Sequence, residues 1–322
     1  DDFVPGGLAR EFTFWRDVLL TDHPERNTIL TWVRDGVSVY EFLVPDARGV
    51  SVEQPFNPAA FPGEVVPNRV PEEFRTFVSR EVVTLVSRGC LVPFEAVRTS
   101  EGPARPRVIM PLSVAPSKPR LIYDARWLNA KCRHARFSLD TVGAVATLGW
   151  KSWYQGSLDD KSGFHHILLH PASWPLFGAV WEGITYVWTV LPFGWNESSF
   201  VYQTVSGVRS QFLRARGIPA VTYIDDSWQC SPVAVTEGLR LAVALSACAG
   251  FFLNILKCDL VPTRVLRYLG LTCDSGQAVF RVPTDKLCRL RELIRKILFD
   301  GEVPLATLEK IAGKCMSMKV AI

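Results

Sequence analysis

The sequence predicts an α+β fold, an antiparallel sheet with helices on one side. Three observations predict it. Apolar runs follow in the order strand, strand pair, helix, hairpin, helix, strand, which suits antiparallel pairing better than alternating βαβ units. Neither GxGxxG nor GxxxxGK[ST] occurs, so no Gly-rich phosphate loop marks a parallel nucleotide-binding sheet. Two apolar strands, at 154–158 and 220–224, each run into a pair of aspartates.

The elements follow in order. The first 70 residues are mixed in character. Pro45, Pro55, Pro58, Pro62, Pro67 and Pro71 break the chain into an irregular connector. A helix is expected over 72–87, with Phe74, Phe77, Val78 and Leu85 on one face and Gly89 just past its end. Residues 108–114 and 120–123 read as strands around the turn Pro116-Ser117-Lys118-Pro119. Residues 164–169 read as another strand, and 177–181 with 184–190 as a hairpin turning at Glu182-Gly183. Asn196 can cap a helix through about Arg216, stopped by Gly217. After the 220–224 strand, Asp225-Asp226 lies at or beside a tight turn, and 227–230 returns. A helix over 235–249 ends at Gly250, residues 267–272 and 278–282 form a second hairpin, and amphipathic helices over 284–299 and 304–320 close the chain.

Composition sets wide bounds. The chain of 322 residues is 48% hydrophobic and 21% charged, which reads as globular and large enough for two or three subdomains. A net charge of +4 does not by itself argue for a polyanionic partner. Between Arg98 and Arg136, however, nine Lys/Arg face only Glu101 and Asp124, a block that either draws in phosphates or solvates a loop face. The eight cysteines are scattered without a CxxC pair, which argues against a zinc site and a disulfide framework and fits a reducing, intracellular location. No secretory pattern opens the sequence, and the longest uncharged apolar stretch, 241–256, is short for a membrane span. The start at Asp1 and the end inside an apparent helix give the expectation of a segment cut from a longer polypeptide.

The carboxylates carry the chemistry. Asp159 in Ser157-Leu158-Asp159-Asp160 and Asp225 in Tyr223-Ile224-Asp225-Asp226 each end an apolar strand. Singly, each admits a bland reading as a turn residue. Together they supply what two-metal phosphoryl transfer needs, carboxylates converging from different elements on cations about 3.5–4 Å apart. Hard oxygen ligands suit Mg²⁺. Adjacent strand residues face opposite ways unless a turn rotates one of them. Asp225 is therefore assigned as the direct ligand, Asp226 as a supporting one, and Asp160 as structural or peripheral.

At these residues the sequence resembles the reverse transcriptases. Tyr223-Ile224-Asp225-Asp226 is similar to their YxDD box, and the family's other motifs follow in order. Lys118-Pro119-Arg120-Leu121-Ile122-Tyr123-Asp124-Ala125-Arg126-Trp127-Leu128-Asn129 resembles the fingers motif. Residues Leu158 to Ile167 resemble the first catalytic motif, and Leu191-Pro192-Phe193-Gly194 the LPxG box. Gly250-Phe251-Phe252-Leu253-Asn254 with Lys257, and Tyr268-Leu269-Gly270, resemble the next motif and the primer grip. The match runs over about 111–281. Residues 74–89, Pro111-Leu112-Ser113-Val114 and the stretch from Leu308 to Met316 resemble tyrosine-recombinase (DIRS-like) retrotransposons, with Ty3-like elements second. Three positions depart from the usual pattern: Ser199 stands for proline, Asp160 for an apolar residue, and Phe193 for the glutamine of retroviral enzymes.

The resemblance implies a right-hand polymerase, with an N-terminal extension (1–70), fingers (71–153), an antiparallel-sheet palm (154–283, with 178–220 partly a junction) and a partial helical thumb (284–322). It implies an RNA-directed DNA polymerase that adds deoxynucleotides to a primer 3′ end. Asp159, Asp225 and Asp226 would hold two Mg²⁺ ions, with Mn²⁺ able to substitute. Lys118, Arg120, Phe164, Phe193, Gly194 and Lys257 would contact the nucleotide, Phe164 acting as a steric gate. Tyr268, Leu269 and Gly270 would place the primer end, and Arg126 and Trp195 are further candidates. His165, His166 and His170 are expected to pack or pair rather than ligate metal. Implied partners are an RNA/DNA template-primer, deoxynucleoside triphosphates, and linked ribonuclease H and recombinase or integrase domains, with no membrane. Two rivals share the palm logic, an inactive domesticated fold that only binds and an RNA-dependent RNA polymerase.

Overall fold

Helix and strand stretches alternate along the chain because its apolar periodicity switches between 3.6 and 2. The structure, a computed structural model, describes residues 3–44, 68–99, 102–148, 150–232, 237–300 and 303–321. The proline connector from Pro45 to Pro67 lies outside the described residues, as does the expected helix start at Val235. The chain divides into two units. One comprises Asp1–Ser138, Asp160–Val208 and Ser246–Phe252; the other comprises Leu139–Asp159, Arg209–Leu245 and Leu253–Ile322.

In the first unit, the N-terminal residues form short helices (Gly7–Arg10, Phe12–Phe14, Arg26–Asp35) and a π-helical turn, Trp15–Leu19. Trp15 is fully buried, and its indole N–H donates to the carbonyl of Ala249 (2.9 Å), so burying the ring leaves no orphan donor. The expected helix appears as Arg75–Ser87 after a 3₁₀ turn at Glu72–Phe74. Val78, Val82 and Leu85 form its buried face, and Gly89 follows with φ 76°. The Glu182-Gly183 hairpin pairs Gly178–Trp181 with Ile184–Trp188, and Leu91–Pro93 adds a third antiparallel strand. Both turn residues have positive φ, the geometry whose twist matches the flanking strands.

Two expected strands in this unit are corrected. Only Leu112–Ala115 pairs with Arg120–Tyr123; residues 108–111 make an isolated bridge from Ile109 to Gly178 instead. Residues 164–169 do not form a strand. Ser162 adopts a left-handed conformation (φ 54°), which turns the chain into the 3₁₀ helix Gly163–His166. Apolar spacing could not reveal that turn, because serine is not a strong marker of positive φ.

In the second unit, four antiparallel strands lie in the order Asp259–Thr263, Tyr154–Asp159, Asp226–Ser231, Ala220–Tyr223. A core cluster gathers Val142, Val145, Trp150, Val221, Trp228, Leu266, Tyr268 and Leu271. Gln155 is fully buried within it. It accepts from the Trp228 indole (3.0 Å) and donates to the carbonyls of Arg264 and Cys273 (2.9 and 3.1 Å), so its polarity is satisfied. Residues 267–272 are not one strand, because Leu269-Gly270 (φ 44° and 77°) is a turn between Val265–Tyr268 and Leu271–Asp274. Val279–Arg281 then pairs with the second of these. Helices Thr284–Asp300 and Leu305–Met316 follow.

Candidate active site

In the second unit, Asp159 is the last residue of its strand and Asp226 the first of the next, and the two are register partners. Directly opposed residues share a face, with Cβ atoms about 4.5–5.5 Å apart. Asp225 belongs to the two-residue turn that joins Tyr223 to Asp226, so the alternation rule that separates neighbouring strand residues does not govern it. Ile224 precedes it with φ 54°, a left-handed conformation costly for a β-branched residue. Asp225 is half-buried and Asp226 exposed. The three predicted carboxylates thus lie at one end of one hairpin and its neighbour, with Asp226 rather than Asp225 across from Asp159.

The backbone of Asp159 is held on both sides by one segment. The Asn254 N–H donates to its carbonyl (2.8 Å), and its own N–H points to the Cys258 sulfur (3.3 Å). The same segment brings Lys257 Nζ to 3.6 Å from Asp159 Oδ1. Tyr268 is 3% exposed, and its hydroxyl donates to the Asp226 carbonyl (3.4 Å). Burial, aided by nearby Asp226, holds this phenol well above its ordinary pKa, so it stays a neutral donor. Of the expected primer-contacting residues, Tyr268 therefore places its ring in the core, and Leu269-Gly270 forms the half-buried turn.

Among the described residues, no group of three or more His, Cys, Asp or Glu, this donor set included, is placed so that it could hold a metal ion. That donor set still fits Mg²⁺, which usually takes one or two carboxylates and completes its shell with water and phosphate oxygens. Opposed Asp159 and Asp226, with Asp225 adjacent, supply hard oxygens of that kind.

In the first unit, Phe164 sits on the 3₁₀ helix Gly163–His166, 7% exposed. Its ring packs at 4.7 Å on Phe193, which is itself 43% exposed, and edge-on at 5.6 Å to Tyr202. Gly194 has φ 117°, and a Cβ there would stand 1.9 Å from the Tyr123 carbonyl oxygen. The close approach that glycine permits is therefore to the hairpin formed by Leu112–Ala115 and Arg120–Tyr123. Asn129 holds the same loop, donating to the Gly194 carbonyl and accepting from the Asn196 N–H (both 2.9 Å). Sequence reasoning matched Asn129 to a motif without seeing this role. Its signal was a buried amide at the end of that motif.

Trp195 is corrected to a core residue. It is 1% exposed and packs edge-on against Phe42 and Phe177, so it offers no face to a template. Lys118 and Arg120 lie exposed on the hairpin that pairs Leu112–Ala115 with Arg120–Tyr123. Arg126 makes a two-point pair with Asp124 (2.7 and 2.5 Å), which pulls the Asp124 carboxyl below its usual range and ties the guanidinium to a structural partner. His166 Nε2 accepts from the Phe252 N–H (2.8 Å), so Nδ1 carries the proton donated to the Gly163 carbonyl (2.9 Å). His170 Nδ1 accepts from the Ala172 N–H (3.2 Å). His165 is buried, and among the described residues neither of its ring nitrogens has a hydrogen-bond partner.

The family model described as reverse transcriptase (RNA-dependent DNA polymerase) matches residues 112–273. The enzymatic polyprotein of Cestrum yellow leaf curling virus is 27% identical over 217 residues, 66% of this chain and 33% of that protein. The enzymatic polyprotein of Cauliflower mosaic virus (strain Strasbourg) is 26% identical over 161 residues, 49% of this chain and 23% of that protein. The chain thus spans a third or less of the length of these relatives. Among solved structures, the foamy viral protease-reverse transcriptase in complex with double-stranded DNA aligns with a TM-score of 0.61 at 17% identity, covering 97% of this chain and 52% of that one. The same viral enzyme in complex with RNA/DNA hybrid aligns with a TM-score of 0.60 at 16% identity, covering 95% and 39%. The shared fold is the right-hand polymerase, in agreement with the α+β prediction.

Proposed function

Because the chain belongs to the reverse transcriptase (RNA-dependent DNA polymerase) family, we propose that it is the polymerase core of a retroelement, extending a primer 3′ end with deoxynucleotides on an RNA template. The opposition of Asp159 and Asp226, with Asp225 in the adjoining turn, carries this reading. All three lie inside the matched residues.

Asp159, Asp225 and Asp226 would hold two Mg²⁺ ions, or Mn²⁺ in their place, and when bound these supply Lewis-acid neutralisation of the charge that builds at phosphorus. The protein's own groups then position the reactants. Arg120 grips triphosphate oxygens through paired donors, and Lys118 adds a point charge. Phe164 blocks the space a 2′-hydroxyl would need, and Phe193 and Gly194 flank the nucleotide. Lys257, poised beside Asp159, hands a proton to the departing pyrophosphate. Tyr268, Leu269 and Gly270 seat the primer terminus. Lys286, Arg289, Arg291, Arg295 and Lys296, on the Thr284–Asp300 helix, track the duplex phosphates. The rate enhancement is then mostly positioning and charge stabilisation.

Finer assignments belong to the same reading. The fingers, palm and thumb divide at about residues 71, 154 and 284. The partners are template-primer and deoxynucleoside triphosphates, with ribonuclease H and recombinase or integrase domains in the parent polyprotein. The element is DIRS-like first and Ty3-like second, on the Pro111-Leu112-Ser113-Val114 and Gly313-Lys314 stretches. An intracellular site suits the scattered cysteines. Among the described residues, no helix is long and apolar enough to cross a membrane.

The test is primer extension on a poly-ribonucleotide template with Mg²⁺ or Mn²⁺. The chain extends the primer with deoxynucleotides, and Asp225→Asn abolishes extension while leaving the circular-dichroism spectrum intact. Equal extension by the two proteins would refute the assignment.

A further inference from the structure

Asp160 follows Asp159 directly, so the segment carries a second carboxylate. It is 4% exposed. A buried carboxylate is costly unless donors surround it. Here the hydroxyl of Tyr202, a residue with no exposed surface, donates to Asp160 Oδ2 at 2.6 Å. The short distance is that of a charge-assisted bond.

The Tyr202 ring lies between that bond and Phe164. The two rings meet edge-on at 5.6 Å and an interplanar angle of 66°, and Phe251 also packs on Tyr202, at 6.4 Å and 80°. A phenylalanine at position 202 would be held by packing alone, whereas a tyrosine tied at its far end has its tilt fixed as well. Phe164 thus packs against a pinned, fully buried ring and against Phe193, which is 43% exposed. The 3₁₀ helix beneath it is closed by the His165 N–H to Ser162 and the Ile167 N–H to Phe164 (2.9 and 3.2 Å).

We propose that Tyr202, tethered by Asp160, is a positioning residue that sets the stance of the Phe164 ring and so the enzyme's preference for deoxy- over ribonucleotides. The inference rests on the reading of Phe164 as the sugar gate. A gate works by refusing to move, and a displacement of about 1 Å is enough to change positioned chemistry by roughly a hundredfold. Removing the tether gives the ring that freedom without altering its size.

The experiment measures kcat/KM for matched deoxy- and ribonucleotides and takes their ratio. Four proteins are compared: wild type, Tyr202→Phe, the double variant Tyr202→Phe with Asp160→Leu, and Phe164→Ala. The single variant takes the Tyr202 hydroxyl from the buried Asp160 carboxylate and can fail to fold. The double variant removes both polar partners, which is far milder, and still lacks the tether. In whichever of these two folds, the ratio falls by roughly tenfold, the worth of one hydrogen bond to a charged group. The fall comes from a lower KM for the ribonucleotide. A general loss of stability, or the lost charge beside Asp159, would lower both efficiencies alike and leave the ratio where it was. A wild-type ratio in the tether variants, with a collapsed ratio in Phe164→Ala, overturns the tether and leaves the gate standing. A wild-type ratio in Phe164→Ala overturns the gate itself, and the tether with it.

Discussion

Asp226 stands directly across the antiparallel pairing from Asp159, so two carboxylates share one face at one end of the four-stranded sheet. Like charges placed so oppose folding, and the fold tolerates them with Lys257 at 3.6 Å from Asp159. This opposition leads to the first prediction. With metal chelated, Asp226→Asn raises stability by a few tenths of a kcal/mol, within the range of about 0.2–1 measured for cross-strand pairs. Added Mg²⁺ closes the gap by stabilising the wild type selectively. Thermal unfolding with and without Mg²⁺ checks both halves, and a variant less stable than wild type in chelator contradicts the repulsion.

The turn that carries Asp225 holds strain at Ile224. Its φ of 54° suits glycine, which meets no Cβ penalty there. Ile224→Gly is expected to stabilise the fold by roughly 1 kcal/mol, the relief of one left-handed L-residue. Extension activity falls, because the same freedom loosens the neighbouring carboxylate. Urea titration and primer extension together test this trade, which is lost if stability and activity move in the same direction.

Gly194 meets the opposite constraint. A methyl group there would collide with the Tyr123 carbonyl oxygen at 1.9 Å, on a backbone with φ 117°. Gly194→Ala should cost about 3 kcal/mol from overpacking and backbone strain together. Gly207, inside the Asn196–Arg214 helix, provides the comparison, since its nearest contact would be 3.9 Å away. There alanine stabilises by about 0.5–1 kcal/mol through helix propensity. Denaturant midpoints that fail to separate the two variants would count against the close approach.

His165 makes stability depend on pH. Burial, with smaller contributions from His166 and Arg88, lowers its pKa from 6.5 to about 3. The unfolded chain therefore takes up a proton below pH 6.5 that the folded chain refuses. Stability from this site is whole above that pH and drains away as pH falls toward the folded value. Relative to His165→Leu, the wild type loses up to about 1.4 kcal/mol per pH unit across that window. The difference between the two proteins' unfolding free energies isolates this histidine from the carboxylates that titrate in the same range. A flat difference between pH 6 and 4 would show that the imidazole charges freely in the folded protein.

The sequence alone determined the α+β class, the order of most elements, and which carboxylates stand as candidates for the chemistry. Local patterning is enough for these. Asp159 and Asp225-Asp226 are visible because each follows a short apolar strand, and Gly89 and Gly217 mark helix ends because of their positive φ. Tertiary structure alone decided which partners meet. It set Asp226, not Asp225, opposite Asp159, because register depends on the turn at Ile224 and a one-residue slip reverses every face. It buried Trp195 and brought Tyr123 against Gly194. It also gave Asp160 a hydroxyl from 42 residues away. Periodicity reports which face a residue shows, whereas the identity of the group on the other side comes from segments remote in sequence.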